Sequence, residues 1–410
     1  MKEIFNIEKL DHFGRGVSRI NDKVLFIENA LDHEIVEAEI LVDKKKIAEG
    51  KTCGLIEVSN ERKESECPYY LDCGGCNIMH MKYRKQLDFK INKVRELLEK
   101  FAGVERKKIK DIVSSSEFEY RNKVTLKVRE KLGFYKSRTY ELIAIDKCLV
   151  CSHKINEIID KLNILKLTGI DEVVIRSTYK DESMIIFKVN DNIDDSYYIR
   201  NLEGVTDNLI ILKDGVYKVL FGKGFITEKL GDYYFKISPG SFFQVNTNQA
   251  LKLYNLVSDY AKLSGREKVL DLYCGTGTIG IFLSRFANQV VGIEINKDAV
   301  DDAMENKKIN GINNIEFVCR DINKVIDEYK NIDVVVVDPP RSGLNKKAID
   351  NILKINAKKI IYISCDPVTL ARDINILKSN YGVEEVSLVD MFPNTYHVES
   401  VALLNRENFE

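Results

Sequence analysis

No apolar run in the 410-residue chain is long; the purest, such as Val334 to Val337, span a few residues against the ~20 that a membrane helix needs. The opening residues, Met1 to Leu10, mix charge with isolated apolar positions and hold no signal-type block, so the expected location is the cytoplasm. There is no repeat, no low-complexity segment and almost no net charge, 62 basic residues standing against 63 acidic ones. The whole-chain charge therefore names no partner. What the chain does have excludes disorder. Apolar residues make up 44% and include 19 Tyr and 18 Phe, enough to bury several cores. At roughly 150 residues per domain the length suggests two to three domains.

Charge is unevenly spread. Lys82 to Arg138 carries 18 Lys or Arg against 8 Asp or Glu, which marks either solvated helix faces or a polyanion-binding surface. Cysteine is uneven too. Cys67, Cys73 and Cys76 cluster, Cys148 and Cys151 form a second group, and Cys53, Cys274, Cys319 and Cys365 stand alone. Nine thiols in a reducing compartment are not a disulfide framework, and the clusters point to metal ligation or redox work.

The hydrophobic pattern divides the chain in three. Residues 1–60 read as short strands (Lys2 to Ile7, Val17 to Ile20, Val24 to Ile27, Glu34 to Val42) separated by turns at Gly14-Arg15-Gly16 and Asn21-Asp22, which suggests a small antiparallel barrel. Residues 61–236 begin with the cysteine cluster and a helix over Tyr83 to Phe101. Strands follow at Lys123 to Arg129, Val173 to Thr178, Met184 to Val189, Asn208 to Leu212 and Tyr233 to Ile237, an α+β pattern. Residues 237–410 alternate apolar strands with helices, the rhythm of a doubly wound parallel sheet, and close on two strands, Val383 to Val389 and Ser400 to Leu404.

The first strand of that last region runs into Asp271-Leu272-Tyr273-Cys274-Gly275-Thr276-Gly277-Thr278-Ile279-Gly280, and Glu294 ends the second. Gly275, Gly277 and Gly280 satisfy the glycine fingerprint of a nucleotide-binding turn, with Glu294 placed to accept ribose hydroxyls. An NAD-type dehydrogenase and an S-adenosylmethionine methyltransferase both fit. Asp338-Pro339-Pro340-Arg341 after the fourth strand separates them, because a rigid turn of acceptors suits the edge of a nitrogenous ring and has no use in hydride transfer. The fifth strand delivers Ser364-Cys365-Asp366-Pro367, where Asp366 is an expected N-cap, Pro367 the first helical residue, and Cys365 a thiol whose ionised form a helix N-terminus favours.

Ser-Phe-Phe-Gln-Val-Asn (241–246), Asp-Leu-Tyr-Cys-Gly-Thr-Gly (271–277), Asp-Pro-Pro-Arg (338–341), Ser-Cys-Asp-Pro (364–367) and His-Val-Glu-Ser (397–400) occur in one order. Together they resemble the RNA uracil-C5 methyltransferases over the whole chain. The resemblance implies an α/β architecture: a Rossmann-like S-adenosylmethionine methyltransferase domain, an N-terminal OB-like barrel of the TRAM type, and a central α+β domain. It implies that Gln244, Tyr273, Glu294 and Asp338 contact S-adenosylmethionine or the target base, with Asp321 near the adenine, Cys365 as nucleophile, Glu399 as base, and Asp338 in the reacting site. Thr278 departs from the family's frequent Asn at that position. Phe242 is a candidate for stacking on unstacked bases, and Arg121 and Lys123 in Tyr120-Arg121-Asn122-Lys123 for RNA phosphates.

The spacing of Cys67, Cys73 and Cys76 alone leaves zinc, an iron–sulfur cluster or no metal open. The resemblance implies a [4Fe–4S] cluster on Cys67, Cys73, Cys76 and Cys148, with Cys151 competing as fourth ligand, in a structural or RNA-positioning role. A TRAM barrel with a cluster resembles the 23S ribosomal RNA branch, acting as a monomer, more than the transfer RNA branch.

Overall fold

The computed structural model describes residues 2–136, 139–325 and 328–407; Arg138, at the end of the basic segment, lies outside them. The chain forms two compact units. One comprises the residues up to Lys93 with Gly133–Ile145 and Phe392–His397, the other Val94–Leu132, Asp146–Met391 and the residues from Val398.

The first unit is built on six strands, β1 (Lys2–Asn6), β2 (Lys9–Leu10), β3 (Gly16–Ile20), β4 (Lys23–Glu28), β5 (Ile35–Asp43) and β6 (Ile47–Glu57), in the sheet order β1-β5-β6-β4-β3-β2. Pairing is antiparallel except between β4 and β6. The two-residue turn at Asn21 and Asp22, both at positive φ, joins β3 to β4 as a tight hairpin whose twist matches its strands. Phe5, Ile7, Leu25, Ile27, Val36 and Ala38 form the core. The sequence pattern omitted β6, and its pairing shows why. Register shifts interrupt its ladder with β5, so its side chains lose strict alternation. At Gly50 a side chain would meet the Glu39 carbonyl oxygen at 2.9 Å.

Helix α1 (Tyr83–Ala102) follows and consumes part of the basic excess internally. Lys90 and Lys93 are buried, their ammonium groups donating to the carbonyls of Phe392 and Tyr396 at 3.0 and 3.1 Å. These lysines serve packing, not a surface.

In the second unit, β7 (Ile109–Val113) is followed by β8 (Lys123–Val128), the hairpin strands β9 (Leu132–Tyr135) and β10 (Leu142–Ala144), α2 (His153–Ile164), β11 (Ile170–Ser177), β12 (Ser183–Val189), α3 (Asp195–Leu202), β13 (Asn208–Lys213) and β14 (Val216–Phe221). Of the hairpin strands, all but Leu132 belong to the first unit. Strands β8-β11-β12-β13-β14 lie side by side in one sheet. A separate hairpin, β15 (Ile226–Leu230) and β16 (Tyr233–Ile237), leads to α4 (Thr247–Ala261).

The remaining elements alternate: β17 (Lys268–Leu272), α5 (Thr278–Ser284), β18 (Gln289–Glu294), α6 (Lys297–Ile309), β19 (Ile315–Cys319), α7 (Ile322–Val325), β20 (Val334–Val337), α8 (Lys346–Ile355), β21 (Lys359–Ser364), α9 (Pro367–Leu377), β22 (Tyr381–Val389) and β23 (Glu399–Arg406). They form the doubly wound sheet β19-β18-β17-β20-β21-β23-β22-β7. Strands β17 to β21 are parallel and β23 runs against them. β7, from far upstream, closes the edge parallel to β22. The order reverses between β17 and β20, the place where open α/β sheets hold ligands beyond the carboxyl ends of their strands. Among the described residues no helix is long and apolar enough to cross a membrane.

Candidate cofactor and catalytic site

The glycine turn sits at that reversal. Tyr273, Gly275 and Gly277 all have positive φ, at 62°, 53° and 79°, so the chain leaves β17 through a sharp left-handed bend. At Gly277 a side chain would strike the Phe317 ring at 2.4 Å, whereas at Gly275 nothing lies within 4 Å. Gly277 is required by packing. Gly275 leaves open space where a ligand can approach the backbone. Glu294, at the end of β18, accepts the amide of Gly275 at 3.2 Å and those of Ile295 and Asn296 at 2.8 Å, which aims its carboxylate at the turn. Asp321, after β19, caps the amide of Asn323 at 2.9 Å and is half-buried. Thr278 donates its hydroxyl to Tyr254 at 3.2 Å and is buried.

Four acidic or nucleophilic groups meet at the next strands. Asp338 leaves β20. Ser364 of β21 pairs with Ser400 of β23, so Cys365, just past the end of β21, and Glu399, the first residue of β23, are neighbours at that end of the sheet. Burial pushes the Asp338 carboxyl up to about 7. Glu399 is 5% exposed and is pushed up to about 8 by burial and by Asp338, against the pull of Arg341. Asp271 in β17 is wholly buried and raised to about 8 by burial, Asp338 and Glu294. The Gly280 amide draws it the other way, yet neither carboxylate oxygen makes a hydrogen bond of standard geometry. Such a buried acid cluster suits a cationic ligand, which relieves all of its members together. The sulfonium of S-adenosylmethionine fits that field, and the open Gly275 turn with Glu294 fits its nucleoside.

Cys365 corrects one expectation. Asp366 does cap α9, accepting the amides of Val368 and Thr369 at 2.8 and 3.1 Å, with Pro367 in the first turn. The thiol nevertheless is not eased toward ionisation. Burial, then Glu399, Asp338 and Asp366, push it up to about 12, and Arg341 opposes them. Burial and the neighbouring carboxylates outweigh one helix end.

Phe242 and Gln244 lie on the loop between β16 and α4. Asp302 of α6 holds its start, accepting Ser238 Oγ at 2.6 Å and Ser241 Oγ at 2.5 Å. Asn122 holds its end, its side chain donating to the Gln244 carbonyl at 3.1 Å and its amide to that of Val245 at 2.8 Å. The loop buries Gln244 and leaves Phe242 66% exposed. Arg121 and Lys123 flank Asn122 and are half-buried.

The cysteines divide between the units. Cys67, Cys73 and Cys76 are half-buried in the first, and Cys73 and Cys76 line a cavity of about 320 Å³ together with Phe13, Arg15, Lys51 and Tyr70. Cys148 is in the second unit, its thiol drawn down from its usual value chiefly by a hydrogen bond with the buried Cys151. Soft thiols are the right donors for iron or zinc. Among the described residues, however, no group of three or more Cys, His, Asp or Glu is gathered to hold a metal ion.

Sequence reasoning gave no role to Asp271, Arg341 or Arg176. The first two stand inside quoted motifs, but their coupling to Asp338 and Cys365 depends on strand neighbours. Arg176 had only the weak signal of a charge ending an apolar strand, Val173-Val174-Ile175-Arg176.

The family model described as tRNA (Uracil-5-)-methyltransferase matches residues 82–407, and that of the TRAM domain residues 6–52. A protein of Clostridium acetobutylicum described as an RNA methyltransferase is 37% identical over 98% of this chain and 96% of its own. One from Staphylococcus aureus with the same description is 37% identical over 97% and 96%. The crystal structure of Pyrococcus abyssi tRNA (uracil-54, C5)-methyltransferase with S-adenosyl-L-homocysteine is similar at a TM-score of 0.80 and 29% identity, covering 98% of this chain and 99% of that one. With the glycine turn, the acid cluster and the thiol in place, the chain belongs to the tRNA (uracil-5-)-methyltransferase family and is a TRAM-containing RNA methyltransferase.

Proposed function

We propose that the protein methylates C5 of uracil in 23S ribosomal RNA, with Cys365 as nucleophile and Glu399 as base. The observation that supports this chemistry is the adjacency of Cys365, at the end of β21, and Glu399, at the start of the paired strand β23, beside Asp338. Uracil C5 is a weak nucleophile. Addition of the Cys365 thiolate to C6 moves the ring's electron pair onto O4 as an enolate and makes C5 reactive, splitting one hard step into easier ones. S-adenosylmethionine supplies the methyl group to C5. Glu399 then removes the C5 proton, C5=C6 re-forms, and the Cys365 thiolate leaves. Asp338 and Gln244 orient the ring and Phe242 stacks beside it. Gly275, Gly277, Tyr273, Glu294 and Asp321 hold the cofactor. A sulfonium beside Cys365 and Glu399 draws the raised values of both down.

Gel electrophoresis and mass spectrometry of labelled RNA test the assignment. Cys365→Ala should neither methylate nor form a covalent complex. Glu399→Gln should stall as a denaturation-resistant adduct carrying one methyl group. Methylation by Cys365→Ala removes the nucleophile; normal turnover by Glu399→Gln without adduct moves the base to Asp338.

Transfer RNA is the second reading, favoured by the similarity to the Pyrococcus abyssi enzyme. Purified 23S ribosomal RNA and transfer RNA offered separately decide between them. We propose further that the protein works as a cytoplasmic monomer divided functionally at 1–60, 61–236 and 237–410. Cys67, Cys73, Cys76 and Cys148 would hold a [4Fe–4S] cluster. Anaerobically purified protein should then carry about four irons per chain, and Cys148→Ser should lower that content; stoichiometric zinc without sulfide removes the cluster.

A further inference from the structure

Strands β8 and β11 run antiparallel with Lys123 directly across from Arg176. Directly opposed side chains share one face of the sheet about 5 Å apart, and like charges there repel. Arg176 is 3% exposed. One terminal nitrogen donates to the Ser241 carbonyl at 2.5 Å, while its buried Nε has no partner. Among the described residues Lys123 has no carboxylate partner, and burial, Arg176 and Arg121 together lower its ammonium to about 8. Arg121 turns its Nε to the Lys123 carbonyl at 2.8 Å. The groups that favour the Arg176 charge are Tyr217 and Asp302, and Asp302 already accepts from Ser238, Ser241 and Lys236.

Among the described residues, three cations thus converge with no acid paired to them. Stability does not explain the arrangement, since a buried charge without a partner is costly and an apolar residue would pack better. An anion completes it. The place indicates which anion. Arg176 bonds the first residue of the Ser241–Gln244 segment, and Asn122, between Arg121 and Lys123, bonds the last. Exposed Phe242 lies between these two ties. Clustered positive charge beside an exposed ring is the combination that binds a single strand, charge for the backbone and stacking for the base.

We infer that Arg121, Lys123 and Arg176 form a binding site for a backbone phosphate of the RNA substrate, and that Arg176 is a positioning residue tying its occupancy to the loop bearing Phe242 and Gln244. The inference rests on RNA as substrate but not on uracil as the methylated base. Arg121 and Lys123 meet the phosphate; Arg176 lies beneath them, supplies field and holds Ser241.

Fluorescence anisotropy with a labelled RNA hairpin, in about 50 to 200 mM KCl, tests it. Lys123→Met should weaken binding about tenfold and make the slope of log affinity against log salt shallower by about one. S-adenosylhomocysteine binding, followed by calorimetry, should be unchanged. Inorganic phosphate at matched ionic strength should compete with RNA on the unaltered protein and lose that effect in Lys123→Met. Arg176→Lys keeps the charge and loses the reach to Ser241, so it should keep the salt slope while kcat falls and KM holds. Arg176→Met should lose both; where it does not fold, Arg176→Lys carries this arm. An unchanged salt slope in Lys123→Met, or phosphate competing equally with both proteins, overturns the site. An unchanged kcat in Arg176→Lys overturns the link to the loop. If no 5-methyluridine forms on any RNA while the slope changes as stated, the uracil reading fails and the phosphate site stands.

Discussion

Cys365 shows how a residue's chemistry depends on its neighbours. Its thiol is raised to about 12, with Glu399 the leading charged cause and Arg341 the opposing one. Neutralising Glu399 therefore favours the thiolate, and removing Arg341 disfavours it. Alkylation of Cys365 by iodoacetamide, followed by peptide mass spectrometry against pH, should move to lower pH in Glu399→Gln and to higher pH in Arg341→Met. A shift in the opposite sense for either variant contradicts the electrostatic assignment. S-adenosylmethionine should act in the same direction as Glu399→Gln, because a cation beside the cluster favours every ionised form. S-adenosylhomocysteine, lacking the sulfonium charge, should do so less.

At the scale of the element, the glycine turn separates two demands that share a motif. Gly277 has positive φ and no space, Gly275 positive φ and open space. Gly277→Ala meets both backbone strain of about 1–2 kcal/mol and a collision with Phe317, so thermal unfolding should move down by several degrees. Gly275→Ala meets the strain alone. It should melt closer to the unaltered protein yet lose cofactor affinity, because its methyl enters the ligand's space. Calorimetry with S-adenosylhomocysteine and thermal denaturation separate the two; equal melting losses would reject the distinction. The Asp-Pro-Pro-Arg turn is likewise held from outside its motif. Buried Asp373 of α9 accepts the amide of Leu344 at 2.8 Å and the hydroxyl of Tyr362 at 2.6 Å, steadying the loop that follows Arg341.

Across the whole molecule, Asp271, Asp338, Glu399 and Glu228 are held at about 8, 7, 8 and 6, in each case chiefly by burial. Each has a folded-state value above its unfolded one. Through these four groups the native protein binds more protons than the unfolded chain from about pH 4 to about pH 8, and their contribution to stability is lost as pH rises through the folded values. Buried His80, lowered to about 3 by loss of solvation, acts oppositely and costs stability as pH falls below about 6.5. Ligand-free protein should thus melt at lower temperature at about pH 8.5 than at about pH 6.5, with Glu399→Gln flattening the decline. A melting temperature that rises across that interval would refute it.

The alternation of strands and helices, the glycine turn, the Asp366 cap and the thiol at a strand end were legible because each follows from local chemistry: apolar period, backbone freedom and amide capping. They fall in contiguous motifs such as 271–277 and 364–367. The tertiary structure decided what depends on residues distant in the chain. It gave β7 a place at the edge beside β22, and it buried Lys90 and Lys93 against the carbonyls of Phe392 and Tyr396. It also set Lys123 across from Arg176 and enclosed Cys365 among acids that oppose its ionisation. Periodicity reports which face of an element is apolar, but the free energy of a charge depends on burial and on what lies across from it, and those arise only when distant strands pair.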